Sequence, residues 1–218
     1  VHLFIARRCQ KSCHDSHEQY LLDTDANAPT AINQFSLSSY CQKMNSYMTF
    51  LVGAGQLPDA QMSSFSNALS KVWGGSLLKY SACDDPTKIL GCLLKKKGLV
   101  QLLGDPAKTQ ISGMNWLEAL GAWKQTVILV VYGSSDGISG NALAYTALCR
   151  ELSVPLLGLV QYGGEWEAEI RKLDGLPWCG WIPEEKSDAL EYNNLINNRI
   201  LTEQVVISLN RRFNSINL

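Results

Sequence analysis

Residues 127–164 read VILVVYGSSDGISGNALAYTALCRELSVPLLGLVQYGG, and this stretch decides the fold. With Thr126, the first part is an unbroken β-branched and aliphatic run that ends at Gly133, as a strand covered on both faces would be. Residues 139–153 have the composition of a helix, with Asn141 or Ser139 near its cap. Residues 155–164 form a second apolar run ending in glycines. Strand, helix and strand in this order imply a right-handed crossover between parallel neighbours.

The same rhythm extends in both directions. YMTFLVGAG (47–55) reads as a buried strand ending in glycines. In residues 59–73, Met62, Phe65, Leu69 and Val72 recur at helical spacing, and Gly74 and Gly75 stop the run. Residues 76–82 and 99–104 read as strands, and 86–98 as a helix opening at Pro86 and closing in a basic turn. Residues 114–124 read as a helix, 165–175 as a short helix, and 177–185 as a last strand. Residues 188–216 read as a helix whose tail packs on the sheet. The expectation is a three-layer α/β fold, P-loop NTPase-like, with a mostly parallel sheet and helices on both faces. It occupies residues 47–218, with residues 1–46 as a polar N-terminal extension packed on that core.

The bulk composition narrows the function. The chain has 218 residues, 46% hydrophobic and 18% charged, with a formal net charge of -1. Near-neutrality gives no electrostatic footprint for nucleic acid or an anionic membrane. The longest apolar runs are too short to span a bilayer. Seven scattered cysteines point to free thiols in a reducing compartment, the cytoplasm, rather than to a disulfide scaffold. Residues 2–12 carry Arg7, Arg8 and Lys11 without an acid, a flavour shared with transit peptides, but a short strand over residues 1–6 is the preferred reading.

The stretch 127–164 resembles dethiobiotin synthetase, of the P-loop amidoligase group that includes cobyrinate synthases. That family has an aliphatic strand ending in glycine, three residues, a second glycine, a helix opening NHALLT and a strand LxGxVxN. Gly133, Gly137, Asn141, Ala142, Leu143 and residues 156–160 match without gaps. CGWIPE (179–184) is similar to the family's GxIP strand end, whose backbone borders the adenine pocket. The likeness extends more weakly back to residue 47 and covers residues 47–190.

The resemblance implies a nucleotide cleft formed by Gly53, Gly55, Gly133, Gly137, Tyr162 and Pro183. Tyr162 stands where the family has an asparagine on the purine edge. It also implies a substrate-binding role for Lys79, with Gln101 in place of a glutamate, and a homodimer whose sites span two subunits. Each of these residues also has a plain reading: an exposed lysine, a polar residue, a packed aromatic, or turn glycines.

The phosphate loop is where this chain departs. A working loop needs glycines that present N–H groups to phosphate, a lysine on the outer phosphates and a hydroxyl for Mg²⁺. Residues 53–60 read GAGQLPDA. Pro58 replaces the second glycine and has no N–H to give. Asp59 falls on the lysine position and repels phosphate, and Ala60 replaces the hydroxyl. Phosphoryl transfer depends on electrostatic stabilisation, so these losses predict a non-catalytic, degenerate member acting through a partner or a small anionic ligand. No cofactor is then expected; ATP and Mg²⁺ are expected only if the loop works. The alternatives are an active ATP-dependent ligase with a rebuilt phosphate site, and a nucleotide-binding regulator without hydrolysis.

Other candidates stand outside the resemblance. Cys9, Cys13, His14 and His17 are good zinc ligands by type, but their spacing is no standard finger, and no metal site is predicted. Cys149 and Cys179 read as buried small hydrophobes. Glu165, Glu167 and Glu169 read as a solvated face. Trp166, Trp178 and Trp181 crowd one end and are either core or a protein-binding patch. Asp136 lies after a strand C-terminus, where open α/β sheets bind ligands. No catalytic Ser/His/Asp or Cys/His set is present, since all three histidines precede residue 18.

Overall fold

The computed structural model describes residues 47–110, 113–133, 138–184 and 192–216. The expectations placed on residues 1–46, Asp136 and Gly137 fall outside the described residues.

Strands and helices alternate along the chain: β1 (Met48–Gly53), α1 (Asp59–Trp73), β2 (Leu77–Ser81), α2 (Pro86–Leu93), β3 (Gly98–Leu103), α3 (Trp116–Ala122), β4 (Thr126–Tyr132), α4 (Ile138–Glu151), β5 (Leu156–Tyr162), α5 (Ala168–Leu173), β6 (Trp178–Ile182) and α6 (Tyr192–Ile216). The strands form one six-stranded sheet in the order β2-β3-β1-β4-β5-β6. Every neighbouring pair is parallel. This is the expected three-layer α/β class, a parallel sheet with helices on both faces.

Each face of the sheet has its own core. On one face Leu51, Ile128, Val130 and Val160 pack under α1, through Met62, Phe65 and Leu69, and under α6, through Val205, Val206 and Leu209. On the other face Phe50, Val52, Leu129 and Leu159 pack under α2, α3 and α4, through Leu90, Leu93, Trp116, Leu117, Ala142 and Cys149. Burial on both faces explains why β4 and β5 are continuous apolar runs rather than alternating ones.

Helix ends follow local chemistry. Asp85 caps α2 by accepting from the backbone N–H groups of Thr87 and Lys88. Asn115 and Glu118 form a reciprocal capping box on α3. The helix after β4 spans Ile138–Glu151, which places Ser139 and Asn141 in its first turn. The short helix after β5 is confined to Ala168–Leu173, so Glu165 precedes it and Glu167 is its N-cap.

The cysteines depart from the free-thiol expectation. Cys83, Cys149 and Cys179 are free, but Cys92 on α2 is disulfide-bonded. No helix among the described residues is long and apolar enough to cross a membrane.

Candidate functional site

β1 sends its helix to one face of the sheet, whereas its neighbours β3 and β4 send theirs to the other. The crevice outside the carboxyl ends of these strands is where such sheets bind ligands. Gly53, Gly55 and Gly133 all lie there, at or just past the ends of β1 and β4.

The β1–α1 loop, residues 54–58, folds back on the end of β1. Ala54 still belongs to the sheet, its N–H donating to the Val130 carbonyl at 2.8 Å. Leu57 is 5% exposed and joins the α1-side core. A Cβ added to Gly53 would meet the Gly55 carbonyl oxygen and Leu57 Cδ1, each at 2.8 Å. An apolar side chain and a carbonyl oxygen therefore fill the space beside Gly53. Pro58 is the N-cap of α1 without a side-chain hydrogen bond, and Asp59 occupies the first turn. That carboxylate complements the positive end of the helix itself.

The neighbouring residues at the mouth are tied to one another. The Tyr145 hydroxyl, on α4, donates to Asp105 Oδ1 at 2.6 Å, past the end of β3. Burial, and then the adjacent Asp105 carboxylate, hold the Tyr145 hydroxyl far above the usual tyrosine range. Gln61 Nε2 donates to Glu184 Oε1 at 3.5 Å, joining the first turn of α1 to the chain beyond β6. Among the described residues no group of three or more His, Cys, Asp or Glu is placed to hold a metal ion.

The other candidates are dispersed. Lys79 is exposed on the edge strand β2, in register with Gln101. Gln101 is buried and donates to Ser63 Oγ at 3.1 Å, and its Oε1 has no hydrogen-bond partner among the described residues. Tyr162 is buried and meets Phe65 edge-on at 5.8 Å. Tyr162 and Pro183 line one cavity of about 300 Å³ between α1 and α6, walled by Ala68, Val72, Ile182 and Thr202, with Lys71 and Arg199 also on its lining. Gly133 has a structural reason to be glycine: a Cβ there would strike the Gly163 carbonyl oxygen.

The three tryptophans are half-buried and engaged within the chain. Trp166 and Trp178 meet edge-on at 6.0 Å. The Trp178 indole N–H donates to Asp174, and that of Trp181 to the Gly163 carbonyl.

One polar cluster had no counterpart in the sequence reading. Arg171, on α5, is buried; its Nε donates to Gln161 Oε1 and its Nη1 to Ser139 Oγ, both at 3.3 Å. Gln161 Nε2 donates to the carbonyls of Gly163 and Glu165. The cluster joins the end of β5, α5 and the first turn of α4. A glutamine breaking the apolar run of β5 was its one visible signal.

No family model and no curated protein matches the chain. Among solved structures it is similar to the MinD cell division protein of Aquifex aeolicus, with 11% identity and a TM-score of 0.48, covering 78% of this chain and 97% of that one. A DUF1611 family protein from Anabaena variabilis is similar at 11% identity and a TM-score of 0.39, over 83% of this chain and 62% of that one. These are likenesses of chain path and assign no activity.

Proposed function

We propose that the chain is a non-catalytic relative of the dethiobiotin synthetase-like group that works by binding a small anionic ligand or a partner. The observation that carries this reading is the β1–α1 loop. Leu57 and the Gly55 carbonyl occupy its interior, and Pro58 and Asp59 stand at the start of α1. A phosphate chain there meets an acceptor, an apolar wall and a negative charge in place of N–H donors and a lysine.

Two further observations agree with it. Gln61 and Glu184 link α1 to the end of β6. Tyr162 is packed into the core with its ring against Phe65 rather than presenting a free amide edge. The reading as an active ligase rests on the strand–glycine–helix unit at residues 127–153 and on Lys79, which is exposed on the edge strand β2. The reading as a nucleotide-binding regulator is favoured by the cavity that Tyr162 and Pro183 share. Calorimetric titration with ATP–Mg²⁺ tests the proposal: absence of binding at millimolar nucleotide supports it, and micromolar binding overturns it.

A further inference from the structure

Cys92 on α2 is half-buried and disulfide-bonded. The chain has seven cysteines, and Cys83, Cys149 and Cys179 are free. Elimination leaves Cys9, Cys13 and Cys41 as candidates for the other half of the bond, all of them in residues 1–46, outside the described residues.

The fold favours Cys41. α2 joins two parallel strands, so its C-terminal end, with Cys92, returns to the amino edge of the sheet. The chain enters the sheet at the same edge. The Gly98 N–H, at the start of β3, donates to the carbonyl of Tyr47, the residue before β1, at 3.2 Å. Cys92 lies six residues before Gly98, and Cys41 six residues before Tyr47. Six residues reach about 20 Å when extended, enough to bring the two sulfurs together. Cys9 and Cys13 stand further back and would close longer loops at greater entropic cost.

Charge supports the same occupant. Leu94, Lys95, Lys96 and Lys97 follow Cys92 closely and are all exposed, Leu94 at 67%. Their turn is held in place. The Lys96 N–H donates to the Leu93 carbonyl at 2.9 Å, and Ser76 Oγ donates to the Lys97 carbonyl at 3.0 Å. The end of α2 thus presents an apolar side chain and three cations side by side. Residues 14–42 carry Asp15, Glu18, Asp23 and Asp25 with no lysine or arginine, and they include apolar Leu21, Leu22, Ile32 and Phe35. An acidic segment with apolar side chains complements that turn.

We propose that residues 14–42 dock on the C-terminal end of α2, over residues 94–97, and are locked there by a Cys41–Cys92 disulfide. The lock forms by exchange with a low-molecular-weight disulfide such as glutathione disulfide. One cysteine thiolate displaces a first small thiol, and the other cysteine attacks the resulting mixed disulfide and releases the second. The two cysteines lose two electrons and two protons, which leave with the two small thiols. The anchor stands at the amino edge of the sheet, opposite the crevice at the carboxyl ends, so the docking is independent of whether the β1–α1 loop handles ATP.

The test equilibrates the full chain in glutathione redox buffers, quenches with acid, blocks free thiols and digests with trypsin and chymotrypsin, the second of which cuts between Cys13 and Cys41. Mass spectrometry should find Cys92 linked to Cys41. Linkage to Cys9 or Cys13, or no linkage at oxidising glutathione ratios, would overturn the proposal. The glutathione ratio at which half the chains are linked reads the docking itself. Lys95→Gln, Lys96→Gln and Lys97→Gln together should lower the linkage constant about threefold, the worth of one exposed ion pair, and high salt should lower it likewise. A constant unmoved by both changes would mean a bond without docking and would also overturn it. Cys92→Ser should abolish the linkage and open Cys41 to labelling; if that variant fails to fold, mapping of the unaltered chain decides.

Discussion

Leu57 Cδ1 lies 2.8 Å from where a Cβ on Gly53 would stand, so the side chain at the end of the β1–α1 loop closes back on the glycine at its start. The loop runs from strand to helix with Leu57 packed into the core. Leu57 is 5% exposed and sits among Leu51, Met62 and Phe65. Replacing it with alanine should cost about 3 kcal/mol of stability, as buried Leu→Ala changes do. The variant should gain no affinity for ATP, because Pro58 and Asp59 remain. Denaturant unfolding and a nucleotide titration on one sample check both parts.

Glycines at two positions should respond in opposite directions. A Cβ at Gly133 would strike the Gly163 carbonyl oxygen, so Gly133→Ala should destabilise by about 1–3 kcal/mol. Gly91, within α2, has nothing within 4 Å of an added Cβ. Gly91→Ala should stabilise by about 0.5–1 kcal/mol through backbone entropy and helix propensity. Paired denaturation curves read the two signs directly.

Asp85 caps α2 and is held below its ordinary value of 3.8. Burial pushes its pKa upward, but the backbone N–H groups of Lys88 and Thr87 and the Lys88 ammonium outweigh it. A carboxyl depressed in the folded state adds stability above its unfolded pKa and loses it as pH falls through the folded value. Asp85→Ala should therefore cost about 1 kcal/mol at neutral pH. The gap to the parent should close as pH drops from 3.8 through the lower folded value. Chemical denaturation at neutral and strongly acidic pH measures it.

The free thiols should separate sharply in reactivity. Cys83 is exposed, whereas burial pushes Cys149 to about 12 and Cys179, against the opposing charge of Arg212, to about 11. Thiolate is the reacting form, so a thiol reagent at mild alkaline pH should label Cys83 rapidly and leave Cys149 and Cys179 untouched until unfolding. Mass spectrometry of the labelled peptides shows which positions react. Reaction of Cys149 in the native chain would contradict its burial in the α4 core.

The sheet was legible in the sequence because its central strands are buried on both faces. Residues 126–132 and 156–162 are continuous apolar runs with glycine after them, and no helix of that length and composition competes. The α1 heptad-like spacing of Met62, Phe65 and Leu69 named its buried face correctly. The polar cluster was not legible. On α5 the apolar periodicity points to Ile170 and Leu173, yet these are exposed and Arg171 is the buried residue. Its partners Gln161 and Ser139 come from β5 and α4, so only the packing of three elements brings them together. Leu57 escaped notice for a different reason. Within GAGQLPDA the glycine, proline and aspartate carry the phosphate chemistry, and a leucine in a loop gives no local sign that it will turn into the core.

The central claim is that the β1–α1 loop no longer holds nucleotide phosphate, and calorimetric titration of ATP–Mg²⁺ into the purified chain tests it most directly. It should be run alone and then with diaminopelargonic acid, the substrate that the resemblance implies. The account predicts no binding heat at millimolar ATP in either condition. Micromolar binding with turnover, lost on replacing Lys79, would contradict it and restore the active-ligase reading.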